Sequence, residues 1–368
     1  RPVRLEQLEA WYKVDLTGCR QKLIPLPFFD RFGTWIDPNA VTTADPNPFE
    51  AVAAESRAFD VFINVNMVTL IQPLSPFSLF LCHFPESVRN GYFAVDDYSC
   101  LAVNSHYTAT WVRALWGLEP ALVLYPPVEM TGPRLPKENI ILSAARFETG
   151  GSKKQHELIR AFAELQASDR ELFRDWRLVL VGGSLPENPY LERIRQLARQ
   201  SQAPVEVRVN VPASELQQWY ARAKIFWHAC GLGETNPHLV EHFGMTTVEA
   251  MQNRCLPIVI NGGGQREIVE PGESGYRFDT LAELCRYTRE TIAEPGRLAE
   301  MQEKAWARAQ AFTRERFQQF VRGFFQQLER DYRTLPVPDP RDILTNQRRA
   351  NLFYSPVARR ARALGGAR

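Results

Sequence analysis

Short continuous apolar runs alternate along this chain with stretches whose apolar residues recur every three or four positions. In the first half the runs are residues 61–65, 77–83, 101–104 and 122–125. In the second half they are 140–144, 177–182, 205–209, 225–229 and 257–260. Runs rich in Val, Ile and Leu, without strict alternation, suit parallel strands covered on both faces. Between them, Leu158, Ile159, Phe162 and Leu165 share one helical face, and so do Leu191, Ile194, Leu197 and Ala198. Ser214 and Gln217 have the spacing of a capping box, which predicts a helix burying Leu216, Trp219, Tyr220 and Ala223. Residues 312–333 predict a long terminal helix. Strand–helix alternation on both sides of the middle predicts an α/β protein of two doubly wound, Rossmann-like domains.

The boundary falls between Pro126 and Pro136, where four prolines (126, 127, 133 and 136) make a stiff connector with no capacity for sheet pairing. This divides the chain into a first domain at 1–135, a second at 136–310, the terminal helix at 311–335 and a tail at 336–368. The tail carries seven Arg against two Asp and few core-grade residues, which predicts a largely disordered segment. Transient contact of this tail with an anionic membrane surface is a second reading.

A length of 368 residues suits two domains of ordinary size, and 45% hydrophobic with 23% charged residues suits a soluble globular chain. A net charge of +2 gives no electrostatic footprint for nucleic acid. The six cysteines (19, 82, 100, 230, 255 and 285) include no C-x-x-C pair, which reads as reduced thiols in a cytoplasmic protein. The longest apolar stretch, 61–84, is broken by Asn64, Asn66, Gln72, Pro73 and Pro76, so no membrane span is expected. The sequence shows no signal peptide and begins at Arg1.

The candidate chemistry centres on residues 241–249, where Glu241 and Glu249 flank His-Phe-Gly-Met-Thr-Thr-Val. On one continuous helix the two carboxylates would stand about 12 Å apart along the axis, beyond the roughly 5–9.5 Å of a glycosidase pair. A loop entering a helix at Gly244 makes better sense. The amides of Met245 and Thr246 would then lie unpaired at the helix start and form an anion site. Arg146 follows the strand at 140–144, and Lys153 and Lys154 precede the next helix, at the strand end where α/β folds bind ligands. Such cations could hold a diphosphate, or simply be solvated surface charges. Gly262, Gly263 and Gly264 could bring backbone amides close to a ligand or form an ordinary loop, and Glu267 behind them could cap a helix or touch the ligand. His83, at the end of its strand, is a further candidate, against the alternative of a structural histidine.

The same letters spell His238-x-x-Glu241-His242, the inverted zinc-protease motif, which needs a continuous helix and a third ligand. Gly244 would cut that helix short, so no metal site is expected.

Taken together, residues 140–310 resemble the donor-binding domain of a retaining glycosyltransferase of family 4, with the GT-B fold. The resemblance is carried by Ala145-Arg146-Phe147, Lys153-Lys154-Gln155, residues 178–183, the Glu241–Glu249 segment, residues 257–264 with Glu267, and Gly272 with Gly275-Tyr276. Asn104-Ser105, Thr108, Trp116 and Tyr125-Pro126-Pro127-Val128 are similar to family 4 enzymes related to the lipid-linked-oligosaccharide mannosyltransferases. The family normally opens with a strand and a glycine-rich loop, which this sequence lacks, so the first domain is expected to be incomplete.

The resemblance implies that Arg146 and Lys153 hold the donor diphosphate, with Lys154 as the alternative. It implies catalytic positions at Glu241, which would contact the transferred sugar, and at His83 in the cleft. Phe243, Gly244, Met245 and Thr246 would hold sugar and phosphate through their backbone, and Glu249 the ribose. The expectation is a retaining, metal-independent hexosyltransferase without a cofactor, using a UDP or GDP sugar. A glycan, lipid or small molecule would be the acceptor, at a cytoplasmic site with peripheral membrane contact as an option. No D-x-D sequence occurs. A GT-B-like nucleotide-sugar-binding protein without activity is the alternative.

Overall fold

A computed structural model describes residues 3–333 apart from 33–35, 86–88, 90 and 131. The basic tail at 336–368 lies outside the described residues. The chain opens with helices α1 (Leu5–Tyr12), α2 (Pro27–Asp30) and α3 (Glu50–Ser56). Then come strands β1 (Val61–Asn64), β2 (Phe77–Cys82) and β3 (Cys100–Val103), helix α4 (His106–Trp116) and strand β4 (Leu122–Val123). These strands form one parallel sheet in the order β1-β2-β3-β4.

The second half starts with β5 (Glu138–Ala144), α5 (Gln155–Ser168), α6 (Arg170–Phe173), β6 (Arg177–Gly182), α7 (Pro189–Gln200), β7 (Val205–Val209), α8 (Ala213–Arg222) and β8 (Ala223–His228). It continues with α9 (Met245–Gln252), β9 (Leu256–Ile260), α10 (Gln265–Ile268), β10 (Tyr276–Phe278), α11 (Leu281–Ala293) and α12 (Pro295–Ala309), and ends in α13 (Arg314–Arg333). Its sheet is parallel throughout, in the order β10-β9-β8-β5-β6-β7. Winding therefore proceeds from β5 one way through β6 and β7, and from β8 the other way through β9 and β10. The reversal between β5 and β8 opens a crevice beyond their carboxyl ends, where open α/β sheets bind ligands.

Both sheets are covered on two faces, as their continuous apolar strands require. Ile141, Leu178, Ile225, Trp227 and Ile258 pack under α5, α7 and α11, whereas Leu142, Val179 and Phe226 face Trp219 and Tyr220 of α8. In the first sheet, Phe80, Leu101 and Val103 meet Val112 and Trp116 of α4. The opposite face, with Phe77, Leu79, Cys100 and Leu122, is covered by Phe324 and Leu328 of α13. The terminal helix thus crosses back to the half of the molecule made first. The two crossings touch: Val128 N donates to the Phe312 carbonyl at 3.0 Å, and Val128 pairs with Thr313.

Two local expectations need correction. Helix α8 starts at Ala213 after Pro212, with no side-chain cap, so Ser214 lies inside the first turn and cannot act as the N-cap of a capping box. Ala223 is buried, but as the first residue of β8. The short strand β10 carries Arg277 at its centre and gives no apolar run, so periodicity passes over it.

Candidate active site at the sheet switch point

From β5 the chain turns outward at Ala145, and Gly182 at the end of β6 makes this possible. A Cβ on Gly182 would overlap the Ala145 carbonyl oxygen. Arg146 follows with its side chain 78% exposed, paired to Glu148 at 2.9 Å. The two lysines then part company. Lys154 adopts a left-handed backbone (φ 57°) at the start of α5, and its ammonium pairs with Glu234. Lys153 turns inward, where its Nζ lies 3.0 Å from Glu241 Oε2 and 3.6 Å from Cys230 Sγ.

From the other side of the crevice, β8 ends in His228, buried among apolar neighbours, whose Nε2 lies 3.0 Å from the same Glu241 oxygen. Burial pushes the Glu241 carboxyl up, but the His228 hydrogen bond and the Lys153 charge outweigh it and hold the group well below the usual carboxylate range. Burial likewise acts against the Lys153 charge, and the adjacent Glu241 carboxylate outweighs it, so the ammonium is held above its ordinary value. Burial raises the Cys230 thiol to about 12, so it stays protonated beside this pair.

Behind Glu241 the loop is fixed by the glycine run. Gly264 N donates to the Glu241 carbonyl at 2.9 Å. A Cβ on Gly263 (φ 56°) would overlap the Glu241 carbonyl oxygen, and one on Gly264 would overlap Phe243 Cα. Gly263 and Gly264 therefore pack against the protein's own backbone, and the Gly264 amide is spent on the Glu241 carbonyl. In front, Phe84 of the first half stacks on the His242 ring (centroids 3.9 Å apart, 9° between planes), and Ser105 Oγ donates to the His242 carbonyl at 2.6 Å.

Gly244 (φ 116°) then opens α9 with no side-chain cap for the first turn at Met245 and Thr246, whose amides carry the positive end of the helix dipole. A Cβ at Gly244 would come within 2.6 Å of Gln265 Nε2. Met245 is exposed, Thr246 half-buried and the Phe243 ring buried.

Glu249 sits on the far side of this turn. Its carboxylate accepts from Tyr220 Oη at 2.7 Å, and burial raises its affinity for a proton against that hydrogen bond. No hydrogen bond or ion pair among the described residues joins Glu249 to the Glu241–Lys153 group. His83 is exposed on the first half, and among the described residues only its backbone is engaged, with its carbonyl accepting from Thr108 Oγ1 at 3.1 Å. It borders the site through its neighbour Phe84. The zinc arrangement lacks its helix: His238 lies in a 3-10 turn (Pro237–Leu239), against Phe84, and α9 begins only after His242.

Sequence reasoning missed His228, hidden inside an apolar strand, and Cys230, Glu234 and Phe84. For Phe84 the only local signal was its place beside His83.

Burial lowers the His242 ring to about 4, from an ordinary 6.5. The unfolded chain takes up this proton as pH falls through 6.5, and the folded chain only near 4. Stability is therefore fully present above 6.5 and falls progressively between the two values, by about 3 kcal/mol in all. His242→Phe should lose about 2–3 kcal/mol less stability than the parent between pH 7 and 4.5 in urea unfolding. Parallel pH profiles would contradict this.

Comparison with known proteins agrees with this architecture. Residues 131–308 match the family model for Glycosyl transferases group 1. The chain is 28% identical over 261 residues to a GDP-Man:Man(3)GlcNAc(2)-PP-Dol alpha-1,2-mannosyltransferase of Neurospora crassa, covering 62% of this chain and 44% of the relative. It is 27% identical to the alpha-1,3/1,6-mannosyltransferase ALG2 of Rhizomucor pusillus, over 60% of each chain. The chain thus spans about half the length of the curated relatives it matches. Among solved structures, sucrose-phosphate synthase from Thermosynechococcus elongatus superposes with a TM-score of 0.62 at 19% identity, covering 80% of both chains. Anabaena Alr3699/HepE, solved with UDP and glucose, gives 0.61 at 19% identity, covering 76% of this chain and 81% of that one. The chain is therefore folded as a GT-B protein, and its residues 131–308 belong to glycosyl transferases group 1, the family 4 type of glycosyltransferase.

Proposed function

We propose that this chain transfers a hexose from a nucleotide-diphosphate sugar to an acceptor hydroxyl with retention at the anomeric carbon, and that a GDP sugar of the mannose type is the donor. The observation that carries this reading is the Glu241–Lys153–His228 group, placed at the switch point beside the uncapped start of α9. Both bonds to Glu241 fall on Oε2, so Oε1 is the oxygen left for a sugar hydroxyl. Lys153, Arg146 and the amides of Met245 and Thr246 would share the diphosphate charge that grows as the sugar–phosphate bond breaks, without a bound metal. Glu249 would take the ribose once the nucleotide displaces the Tyr220 hydroxyl or shares the carboxylate with it.

In this scheme the anomeric carbon–phosphate oxygen bond breaks while the bond to the acceptor oxygen forms on the same face. The acceptor proton passes to the departing phosphate oxygen. Closure of the halves excludes water, which would otherwise hydrolyse the donor. In this scheme His83, next to the Phe84 ring that stacks on His242, would serve on the acceptor side. No helix among the described residues is long and apolar enough to cross a membrane. A lipid-linked glycan as acceptor fits the names of the GDP-Man:Man(3)GlcNAc(2)-PP-Dol alpha-1,2-mannosyltransferase relatives, and we propose action at the cytoplasmic face of a membrane.

The test is calorimetric titration with GDP-mannose, UDP-glucose and ADP-glucose, followed by transfer of labelled sugar and NMR assignment of the product anomer. GDP-mannose is expected to bind most tightly and to give an α-linked product. Absence of binding by all three sugars, or an inverted product, would refute the proposal.

A further inference from the structure

Glu267 follows the glycine run in the second half, yet its carboxylate is spent entirely on the first. Oε2 accepts from His106 N and from Tyr125 Oη, each at 2.9 Å, and Oε1 accepts from Tyr107 N at 2.9 Å. His106 and Tyr107 open α4, whose N-cap Ser105 already satisfies the third amide, that of Thr108, at 3.0 Å. A carboxylate from another half thus completes the cap of this helix, where its charge also meets the positive end of the helix dipole.

The surroundings make this more than a cap. Ser105 uses its hydroxyl proton on the His242 carbonyl, next to Glu241. The Glu267 carbonyl accepts from Arg308 Nη2 at 2.6 Å, which ties α10 to α12. Tyr125 packs at 5.5 Å on Phe243 and at 5.3 Å on Phe312, and those two rings meet at 5.6 Å, where the chain crosses between halves in both directions.

We propose that Glu267 is the fixed joint of the cleft, a positioning residue that pins the start of α4 to the 242–243 backbone so that the halves close about this point. The proposal deepens the transferase reading and rests on it for its kinetic consequence. Rotation about a joint at residues 105–107, 242–243 and 267 moves the outer rims of the cleft while the loop carrying Glu241 keeps its place against Lys153. Without the joint, nucleotide still meets its own contacts in the second half, but the acceptor side arrives out of register.

The experiment compares the full chain with Glu267→Gln and Tyr125→Phe by X-ray scattering, nucleotide titration and steady-state kinetics. Glu267→Gln should raise the radius of gyration, lower kcat about 10–100-fold and leave the nucleotide Kd within about threefold. Tyr125→Phe, which leaves both helix amides capped, should show the same split with a smaller fall in kcat. Scattering and kcat like the parent's in both variants would overturn the joint. So would a fall in kcat matched by an equal loss of nucleotide affinity, which marks a structural defect. If Glu267→Gln fails to fold, Tyr125→Phe decides by the same criteria. Failure of the parent to bind any nucleotide sugar would instead refute the transferase reading, and the scattering comparison would still test the joint.

Discussion

Replacing Glu241 with glutamine is expected to lower kcat by about 10²–10³-fold, the effect of removing one preorganised electrostatic group from an active site. Glutamine keeps the shape of the side chain and one acceptor oxygen. It loses the charge that sets both of its neighbours. Lys153 would then face burial with its main counter-charge gone, and its ammonium would turn toward Cys230 and solvent, away from the diphosphate position. His228 would keep only a neutral partner for its ring. The pair is about one-fifth exposed on both sides, so its loss should cost only about 1–3 kcal/mol of stability, below the figure for a fully buried pair. Activity should therefore fall far more than stability. The acid limit of the group has a definite sign. Because the folded Glu241 carboxyl is held below its ordinary 4.5, its contribution is intact above that pH and is lost only as pH falls further. The double variant with Lys153→Met should be less active than either single one, but by less than the product of the two falls, since the two side chains share one ion pair. Wild-type kcat in Glu241→Gln, measured with saturating donor, would sink the assignment.

Lys137→Met should produce the larger change in stability, about 3 kcal/mol, with little change in the rate of transfer below the melting point. Lys137 precedes β5, and its Nζ has no carboxylate partner among the described residues. It donates instead to the carbonyls of Ala223 at 2.7 Å, Asn253 at 2.6 Å and Tyr220 at 3.4 Å. Ala223 and Asn253 are the C-caps of α8 and α9, so one cation serves the negative ends of two helices. Burial lowers the Lys137 ammonium, which means that much of its hydration has been exchanged for these carbonyls. Methionine fills the same channel and supplies no proton. The Cys255 thiol still reaches Tyr220 and Ala223, weakly, at 3.1 and 3.3 Å, but the Asn253 carbonyl is left with no such donor. Urea unfolding at pH 7 is the measurement, and a change under about 0.5 kcal/mol, the range of an ordinary surface substitution, would contradict it.

Much of the fold was legible because its strands are long apolar runs and its helices present clear stripes. Strand β10 was not, because three residues with an arginine in the middle carry no period. The site was legible only where its residues are neighbours in sequence. The segment from Glu241 to Glu249 announced a loop entering a helix at Gly244, and the structure has that geometry. The preference for Lys153 over Lys154 came from the family resemblance, because the residue pattern alone cannot show the one left-handed residue at the helix start that sends the two side chains apart. His228 looked like strand, because its polar partner lies across a loop. Whether Gly263 and Gly264 cradle a ligand or form an ordinary loop stayed open, because a sequence cannot show that the space a side chain would fill is already taken by the protein's own backbone. Glu267 reads as a helix cap or a ligand contact, whereas its partners at 106 and 107 are about 160 residues away.

The return of α13 to the first sheet sets an order for biosynthesis. Phe77, Leu79, Cys100 and Leu122 are covered by Phe324 and Leu328, residues translated some two hundred positions later. At roughly 5–20 residues per second, a ribosome needs about ten seconds or more to close that interval. Meanwhile every strand and helix of the second sheet emerges complete. The half encoded second is thus the first able to reach its native state, while the half encoded first waits with an apolar face uncovered. A nascent chain halted before residue 314 is the species on which a chaperone has the most to hold.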